Sequence, residues 1–116
     1  CDYDHNAPDA KHLEETHLRG YKIIREKNPE LPIVLMSRPG LDIYSSYDAK
    51  RRIVIQKTYQ YGIENGDENL YYIDGYSLFE GDDRTECTVD GCHPNDIGMH
   101  RMGIAVSNAL FFALNK

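Results

Sequence analysis

The sequence predicts an α/β fold in which a parallel sheet lies between layers of helices. Three helical patterns alternate with two short apolar strand patterns along the chain. Strands separated by helices favour right-handed βαβ units, because parallel strands need a crossover connection. A chain of 116 residues suffices for one domain. A sheet covered on both faces normally needs more strands than these two, so we expect an incomplete sandwich.

The first helix is predicted from about residue 8 to residue 27. Pro8 suits a first helical turn, and Asp9 interacts favourably with the positive end of the helix dipole. Asn28-Pro29 ends the helix, because the residue before a proline avoids the helical conformation. One face collects the inward candidates Leu13, His17, Tyr21 and Ile24.

The first strand is predicted over residues 31–37, LPIVLMS, and Arg38-Pro39-Gly40 ends it. A continuous apolar run of branched residues is typical of a strand buried on both faces of a parallel sheet. A second strand covers residues 69–74, NLYYID, and ends at Gly75. We also expect Cys1-Asp2-Tyr3 to be the tail of a further strand. The carboxyl ends of all three would then meet at one rim, where ligands bind in open α/β sheets.

Two further helices are predicted, from about residue 45 to 61 and from residue 95 or 96 to about 114. The middle helix has the possible inward positions Tyr47, Ile53, Thr58 and Tyr61. Asn95 or Asp96 can cap the last helix. Its apolar stripe consists of Met102, Val106, Ala109 and Ala113, widened by Phe111 and Phe112. The polar residues 80–92 before it form a long loop, and loops at strand ends commonly carry chemistry.

Composition and charge exclude several classes of function. The formal net charge of −6 and scattered Lys and Arg residues would repel a phosphate backbone, so we expect no nucleic-acid partner. No apolar run approaches the roughly 20 residues that span a bilayer, so we expect no membrane span. A flavodoxin-like receiver or cofactor-binding domain is disfavoured, because no phosphate-cradling glycine loop follows either strand. We therefore expect neither a cofactor nor a metal.

The loop before the last helix contains Asp90-Gly91-Cys92-His93-Pro94. An Asp-x-x-His spacing on a turn lets the carboxylate reach the imidazole, fix its tautomer and stabilise the imidazolium formed when a serine gives up its proton. The same spacing occurs at Asp2/His5 and Asp9/His12, so at least two of the three occurrences are accidental. Only the third has a glycine for a tight turn and a proline and helix cap behind the histidine. Asp90 and His93 are therefore the candidate catalytic pair.

Placed just before the last helix, Asp90-Gly91-Cys92-His93-Pro94 resembles the final conserved block of the SGNH or GDSL-like hydrolases. The opening segment, residues 2–8, is similar in place to the family's third block, a strand end whose asparagine donates to the oxyanion, and Asn6 is its best match. The resemblance covers essentially the whole chain. It implies a flavodoxin-like three-layer α/β/α sandwich, of which residues 1–116 form the C-terminal part of a single domain.

The resemblance implies a serine-type carboxylic ester hydrolase, an acylhydrolase or esterase acting on a small-molecule or carbohydrate ester. His93 would be the general base and then acid, Asp90 would orient it, and Asn6 would help to hold the oxyanion. None of the five serines has a Gly-Asp-Ser context: Ser37, Ser45, Ser46, Ser77 and Ser107. The nucleophile is therefore expected outside this sequence, and the piece alone is expected to be inactive.

The cysteines leave other interpretations open. Cys87 and Cys92 flank Asp90, and their spacing fits a small disulfide, a metal site or two unrelated thiols. The main rival function is a non-catalytic metal or redox module using Cys87, Cys92 and His93, although a structural zinc site needs four ligands. In an oxidising compartment the two thiols could close a ring around Asp90. The compartment is not fixed by the sequence, and an extracytoplasmic one is favoured over the cytoplasm.

The remaining expectations concern single residues and the ends of the chain. His17 should be a hydrogen-bonded core residue and His100 solvated, while Arg38 could meet a substrate or bond loop carbonyls. The chain begins at Cys1 rather than Met. We expect a piece of a longer protein, with a lipid-modified cysteine as the alternative.

If the first strands of the domain are missing, residues 1–4 should form an open edge. An apolar helix face should also be exposed, including Phe111 and Phe112 or the face from Leu13 to Tyr21. Association with the missing N-terminal part, or self-association, is the expected result.

Overall fold

The computed structural model describes residues 3–40 and 46–116, which form an α/β fold with a parallel sheet, as predicted. The elements are α1 (Tyr3–Asn6), α2 (Ala10–Lys27), β1 (Ile33–Met36), α3 (Ser46–Glu64), β2 (Leu70–Ile73) and α4 (Asp96–Leu114). Two 3-10 turns, Gly75–Ser77 and Arg84–Cys87, lie between β2 and α4.

The sheet consists of β1 and β2, paired in parallel with Ile33 opposite Leu70 and Met36 opposite Ile73. Each face has its own apolar cluster. On one face, Leu35 and Tyr72 pack against buried residues of α2, α3 and the α1–α2 connection: Ala7, Leu13, Val54 and Ile55. On the other, residues of both strands pack with α4 and the segment after β2: Val34, Met36, Ile73, Leu78, Phe79, Cys87, Met102, Ala105, Val106 and Ala109. Helices thus cover both faces of the sheet.

The first strand differs from its prediction in burial. All four residues of β1 are half-buried rather than buried on both faces, because within residues 3–40 and 46–116 only β2 pairs with it. The prediction that Tyr3 ends a further strand is wrong, since Tyr3–Asn6 is helical. Cys1 and Asp2 lie outside the described residues. In the described part of the chain, the open strand edge therefore belongs to β1.

Helix α2 begins two residues later than predicted because Asp9 is its N-cap. The Asp9 side chain accepts a hydrogen bond from the backbone N–H of His12 at 2.7 Å, which satisfies a donor that the first turn leaves unpaired. On the inner face Leu13 and Tyr21 are buried, whereas Ile24 is 46% exposed, so its predicted inward position is wrong.

His17 on α2 is hydrogen-bonded, as the sequence predicted, but it is half-buried rather than part of the buried core. Its Nδ1 lies 2.8 Å from Oγ1 of Thr58 on α3. Burial lowers the pKa of His17 although the Asp4 carboxylate acts in the opposite direction. The histidine therefore lies half-buried at the α2–α3 interface.

Helix α3 shows which inward positions the sequence misjudged. Tyr47 and Ile53 are 47% and 46% exposed. The buried positions are Arg51, Val54, Ile55, Thr58 and Gly62. The inner arc of α3 therefore passes through Val54 and Thr58, and of the four predicted positions only Thr58 is fully buried. The buried Arg51 donates from Nη2 to the carbonyl of Ala7 at 2.8 Å, which fixes the chain between α1 and α2.

An ion-pair cluster holds the amino ends of the strands together. Asp67, just before β2, accepts hydrogen bonds from the hydroxyl of Tyr21 at 2.6 Å and from Nε of Arg25 at 2.8 Å. Burial acts to raise the pKa of Asp67, but these bonds and one from the backbone of Asn69 hold it below its usual value. A cavity of about 450 Å³ opens beside this cluster, at the end of the sheet opposite the strands' carboxyl ends.

Helix α4 confirms the predicted cap and stripe. The Asn95 side chain accepts from the backbone N–H of Gly98 at 3.1 Å, and the inner stripe packs on the sheet through Met102, Val106 and Ala109. Phe111 and Phe112 are 64% and 69% exposed. Contrary to the sequence expectation, α4 also has the length and mean hydropathy of a membrane-crossing helix. Because its inner face packs on the sheet, we interpret it as a helix layer of the fold.

Candidate active site

The carboxyl ends of β1 and β2 form one rim, defined here by Ser37-Arg38 and Asp74-Gly75. The hydroxyl of Ser37 accepts a hydrogen bond from the backbone N–H of Gly75 at 2.8 Å, which ties the two strand ends together. A Cβ at Gly75 would lie 1.9 Å from the carbonyl oxygen of Arg38. Only glycine therefore allows the two backbones to approach this closely.

The loop between the second 3-10 turn and α4, residues 88–95, is called the Asp-His loop below. Its two arms pair through the bond from the Val89 N–H to the His93 carbonyl at 2.8 Å. At its tip, Gly91 has a φ of 84°, which favours glycine. The base of the loop lies close against α4. The backbone of Gly98 approaches the carbonyl oxygen of Cys87 so closely that a Cβ at Gly98 would lie 2.2 Å from that oxygen. The loop is thus a short, pinned hairpin.

Asp90 and His93 are in direct contact within this loop. Nδ1 of His93 lies 2.6 Å from Oδ2 of Asp90. Because an ionised carboxylate only accepts, the proton is assigned to Nδ1, and Nε2 is left as the basic nitrogen. The other carboxylate oxygen, Oδ1, accepts from the backbone N–H groups of His93 at 2.7 Å and Cys92 at 2.9 Å.

These contacts fix the charge of Asp90. The backbone bond from His93, its side-chain bond and the backbone bond from Cys92 lower the pKa of Asp90 from 3.8 to about 2. The carboxylate is therefore ionised at neutral pH. The side chains of His93 and Asp90 are 75% and 50% exposed, so the basic nitrogen is accessible from outside this chain.

The other pairs with the same spacing have different surroundings. Asp9 contacts only the backbone of His12, as a helix cap, and Nε2 of His12 lies 2.9 Å from the hydroxyl of Tyr3. Asp2 lies outside the described residues. Of the pairs that the structure describes fully, only Asp90 and His93 have carboxylate and imidazole in contact.

Arg38 connects the rim to the Asp-His loop. Its Nη1 donates to both carboxylate oxygens of Asp48 at 2.8 Å, and its Nη2 lies 2.9 Å from Sγ of Cys92. Burial works to lower the pKa of Arg38, but the hydrogen bond and charge of Asp48 outweigh it and raise the pKa above its usual value. From the sequence, Arg38 could contact either a substrate or loop carbonyls. In the structure its side chain contacts Asp48 and Cys92 instead.

Asn6 is exposed at the end of α1. Two residues earlier, Asp4 is only 5% exposed, and its carboxylate accepts from the backbone N–H groups of Arg38 at 2.8 Å and His5 at 2.9 Å. Asp4 thereby fixes α1 to the rim, and Arg38 links that rim to Cys92. Sequence reasoning missed Asp4, whose only signal was its place in the block that contains Asn6.

The serines of the described residues do not supply a nucleophile for His93. Ser37 is 1% exposed, and its hydroxyl is engaged with Gly75 and with the hydroxyl of Tyr72. Ser77 donates to the carbonyl of Asp74. Ser46 and Ser107 are exposed on α3 and α4. Within this part of the chain, no serine hydroxyl forms a hydrogen bond with His93, and Ser45 lies outside it.

The disulfide considered for Cys87 and Cys92 is absent, since both are free thiols. Cys87 is fully buried, with its Sγ 3.7 Å from the carbonyl of Asp83. Cys92 is half-buried and contacts Arg38 instead. The metal or redox module predicted on Cys87, Cys92 and His93 would need both sulfurs at one site, whereas Cys87 contacts the carbonyl of Asp83 and Cys92 contacts Arg38. The group of possible metal ligands here contains Asp90, Cys92 and His93, without Cys87.

Two solved structures with longer chains contain a similar backbone arrangement. One is described as a GDSL-like lipase from Bacteroides ovatus ATCC 8483, with a TM-score of 0.75 and 24% identity over 93% of this chain. Another is the salicylyl-acyltransferase SsfX3 from a tetracycline biosynthetic pathway, with a TM-score of 0.67 and 22% identity over 87% of this chain. At these identities the likeness shows the fold. The chain spans 33% and 32% of the two larger chains.

The fold places the chain in the class of α/β domains in which helices cover both faces of a parallel sheet. The sequence model of the GDSL-like lipase/acylhydrolase family matches residues 5–110, and the chain belongs to this family. No curated protein matches the sequence. The resemblance found in the sequence is thereby confirmed, and it supports an ester hydrolase function at the level of the family.

Proposed function

We propose that this chain supplies the acid–base pair of a serine-type carboxylic ester hydrolase, with Asp90 and His93 as its catalytic residues. The observation that carries the proposal is the 2.6 Å contact between Nδ1 of His93 and Oδ2 of Asp90. It leaves Nε2 basic on a 75% exposed side chain. Family membership supports the choice of ester hydrolysis.

In the proposed reaction, a serine hydroxyl attacks the ester carbonyl while its proton moves to Nε2 of His93. Asp90 stays ionised and stabilises the imidazolium through Nδ1. The protonated Nε2 then gives its proton to the departing alkoxide, which leaves as the alcohol. The acyl group remains bonded to the serine as an acyl-serine. A water molecule then attacks the acyl-serine, with His93 again as the base. This step releases the carboxylic acid and the free serine.

Asn6 is proposed to donate to the oxyanion that forms on the carbonyl oxygen. Two features support this role. Its side chain is exposed, and the neighbouring Asp4 fixes α1 to the same rim that Arg38 connects to the Asp-His loop. A donor held by such contacts needs little reorganisation during the reaction.

The nucleophile is proposed to lie outside these 116 residues, in an N-terminal part of the same domain. Three observations support this: the chain spans about a third of its structural neighbours, β1 has an open edge, and α4 exposes Phe111 and Phe112. The N-terminal part would pair with β1, and the chain without it would associate with that part or with itself. Residues 1–116 would then be the C-terminal part of one domain.

For the substrate we propose an acyl group on a small polar alcohol or a carbohydrate. Polar side chains at the rim support the proposal of a hydrophilic leaving group. There an ion pair between Arg52 and Asp74 lies beside the exposed Ser77. Such groups bind hydroxyls through hydrogen bonds.

The test compares the 116-residue chain with the protein extended upstream to include the nucleophile block. We expect the extended protein to hydrolyse p-nitrophenyl acetate and to form a covalent adduct with a fluorophosphonate, and the 116-residue chain to do neither. In the extended protein, His93→Ala should abolish turnover, whereas the matched change His12→Ala should not. Equal hydrolysis by the short chain, or by a folded His93→Ala variant, would contradict the proposal.

A further inference from the structure

We propose that the Asp-His loop is also a binding site for a thiophilic divalent cation such as Zn²⁺, held by Asp90, Cys92 and His93. One ligand atom of each residue lies within 4.8 Å of the other two. Two ligand atoms on a tetrahedral zinc ion are roughly 3 to 4 Å apart. Small side-chain rotations in an exposed loop would therefore bring the three donors onto one ion.

The donor set selects the class of metal. A cysteine sulfur with an imidazole nitrogen favours Zn²⁺ and similar ions over Mg²⁺ or Ca²⁺, which prefer oxygen ligands. The carboxylate of Asp90 supplies a third donor. Since His93 and Asp90 are 75% and 50% exposed, a fourth position is accessible to water.

Arg38 sets the electrostatics at the sulfur. Its Nη2 donates a hydrogen bond to Sγ of Cys92 at 2.9 Å, and the thiolate is the form of a cysteine that binds metals. The charge of Arg38 would repel a cation, but Asp48 binds the same guanidinium through both carboxylate oxygens. This pairing compensates the positive charge beside the half-buried Cys92.

Metal binding would block the proposed base, a consequence that rests on the proposed function. If the ion binds Nδ1 of His93, the ring proton moves to Nε2, and Nε2 can no longer accept a proton from serine. If it binds Nε2, the base is occupied directly. In both cases the only proton released is that of the Cys92 thiol, and the contact between His93 and Asp90 is altered.

Binding is tested on the 116-residue chain with Cys1→Ser, so that a thiolate signal can come only from Cys87 or Cys92. We expect one Zn²⁺ per chain by calorimetry, no binding of Mg²⁺, and a thiolate-to-metal absorption band with Co²⁺. Cys92→Ser should remove the band, and Asp90→Asn and His93→Gln should each weaken Zn²⁺ binding by more than about tenfold. The matched changes Asp9→Asn and His12→Gln should have no effect.

Absence of a stoichiometric Zn²⁺ site, or a Co²⁺ band that survives Cys92→Ser, would overturn the proposal. In the extended protein, Zn²⁺ should inhibit ester hydrolysis. The Cys92→Ser variant should be inhibited less by the same Zn²⁺ concentration. Zn²⁺ binding without any esterase activity would refute the proposed function and leave the metal site standing. Esterase activity without Zn²⁺ binding would refute the metal site and leave the proposed function standing.

Discussion

Replacing Asp90 with asparagine should reverse the tautomer of His93. In the native loop, Oδ1 of Asp90 accepts from the backbone N–H groups of Cys92 and His93. An asparagine keeps those bonds only if its carbonyl oxygen faces the backbone, since the flipped amide would set donors against donors. Its NH₂ group must then face the imidazole, so Nδ1 of His93 has to accept a hydrogen bond and the ring proton moves to Nε2.

The size of the effect follows from the role of Nε2. A base that already carries its proton cannot accept one from serine, and in serine hydrolases an Asp-to-Asn change of this kind lowers kcat by about 10⁴-fold. The side chains here are 75% and 50% exposed, so the ring can rotate more easily. We therefore expect a loss of about 10³- to 10⁴-fold in the extended protein.

Two measurements check this prediction. Nitrogen-15 chemical shifts of the imidazole in the 116-residue chain should place the proton on Nδ1 in the native chain and on Nε2 after Asp90→Asn. Ester hydrolysis by the extended protein gives the loss in kcat. Asp9→Asn is the control, because Asp9 has the same spacing but contacts only the backbone of His12. An unchanged tautomer together with near-native turnover would refute the reasoning.

The remaining predictions concern stability and thiol access. The depressed pKa of Asp67 adds stability that is present above its unfolded value near 3.8 and is lost as the pH falls through the lower folded value. Asp67→Asn should therefore flatten the acid limb of a circular-dichroism stability profile, and an unchanged limb would contradict this. Gly98→Ala should destabilise the chain by about 1 to 3 kcal/mol through its clash with a backbone carbonyl. On the same helix, a Cβ at Gly103 would have no neighbouring atom within 4 Å, so Gly103→Ala should stabilise the chain by about 0.5 to 1 kcal/mol in urea unfolding. Equal changes in unfolding free energy for the two variants would contradict the packing argument. Alkylation without reductant should label Cys92 before the buried Cys87, with simultaneous labelling as the contrary result.

Local signals in the sequence predicted the helices and the Asp-His contact well. Asp9 and Asn95 cap helices through their own side chains, and Gly91 provides the positive φ that the turn requires. Asp90 and His93 are three residues apart, so a single turn decides their contact. Such features depend on neighbouring residues and are readable without knowledge of the rest of the fold.

Contacts between distant segments were not predictable in the same way. The arc of α3 that faces inward depends on α2 and the sheet, so Ile53 was placed wrongly while Val54 is buried. Arg38 bonds Cys92, which is 54 residues away, and no spacing rule connects them. Asp4 is buried because the backbone of Arg38 approaches it. The short helix α1 replaced the strand expected at Tyr3, and four residues carry too little periodicity to decide between the two.

The open edge of β1 has a consequence for the exchange of backbone amide hydrogens with solvent. The N–H groups of Ile33 and Ser37 bond to the neighbouring strand at Asn69 and Ile73, and directions alternate along a strand, so those of Val34 and Met36 point away from β2. We expect these two amides to exchange deuterium quickly in the 116-residue chain, although both residues belong to β1. Pairing with a further strand would slow both. Their exchange rates therefore report, at single-residue resolution, whether the rest of the sheet is in place.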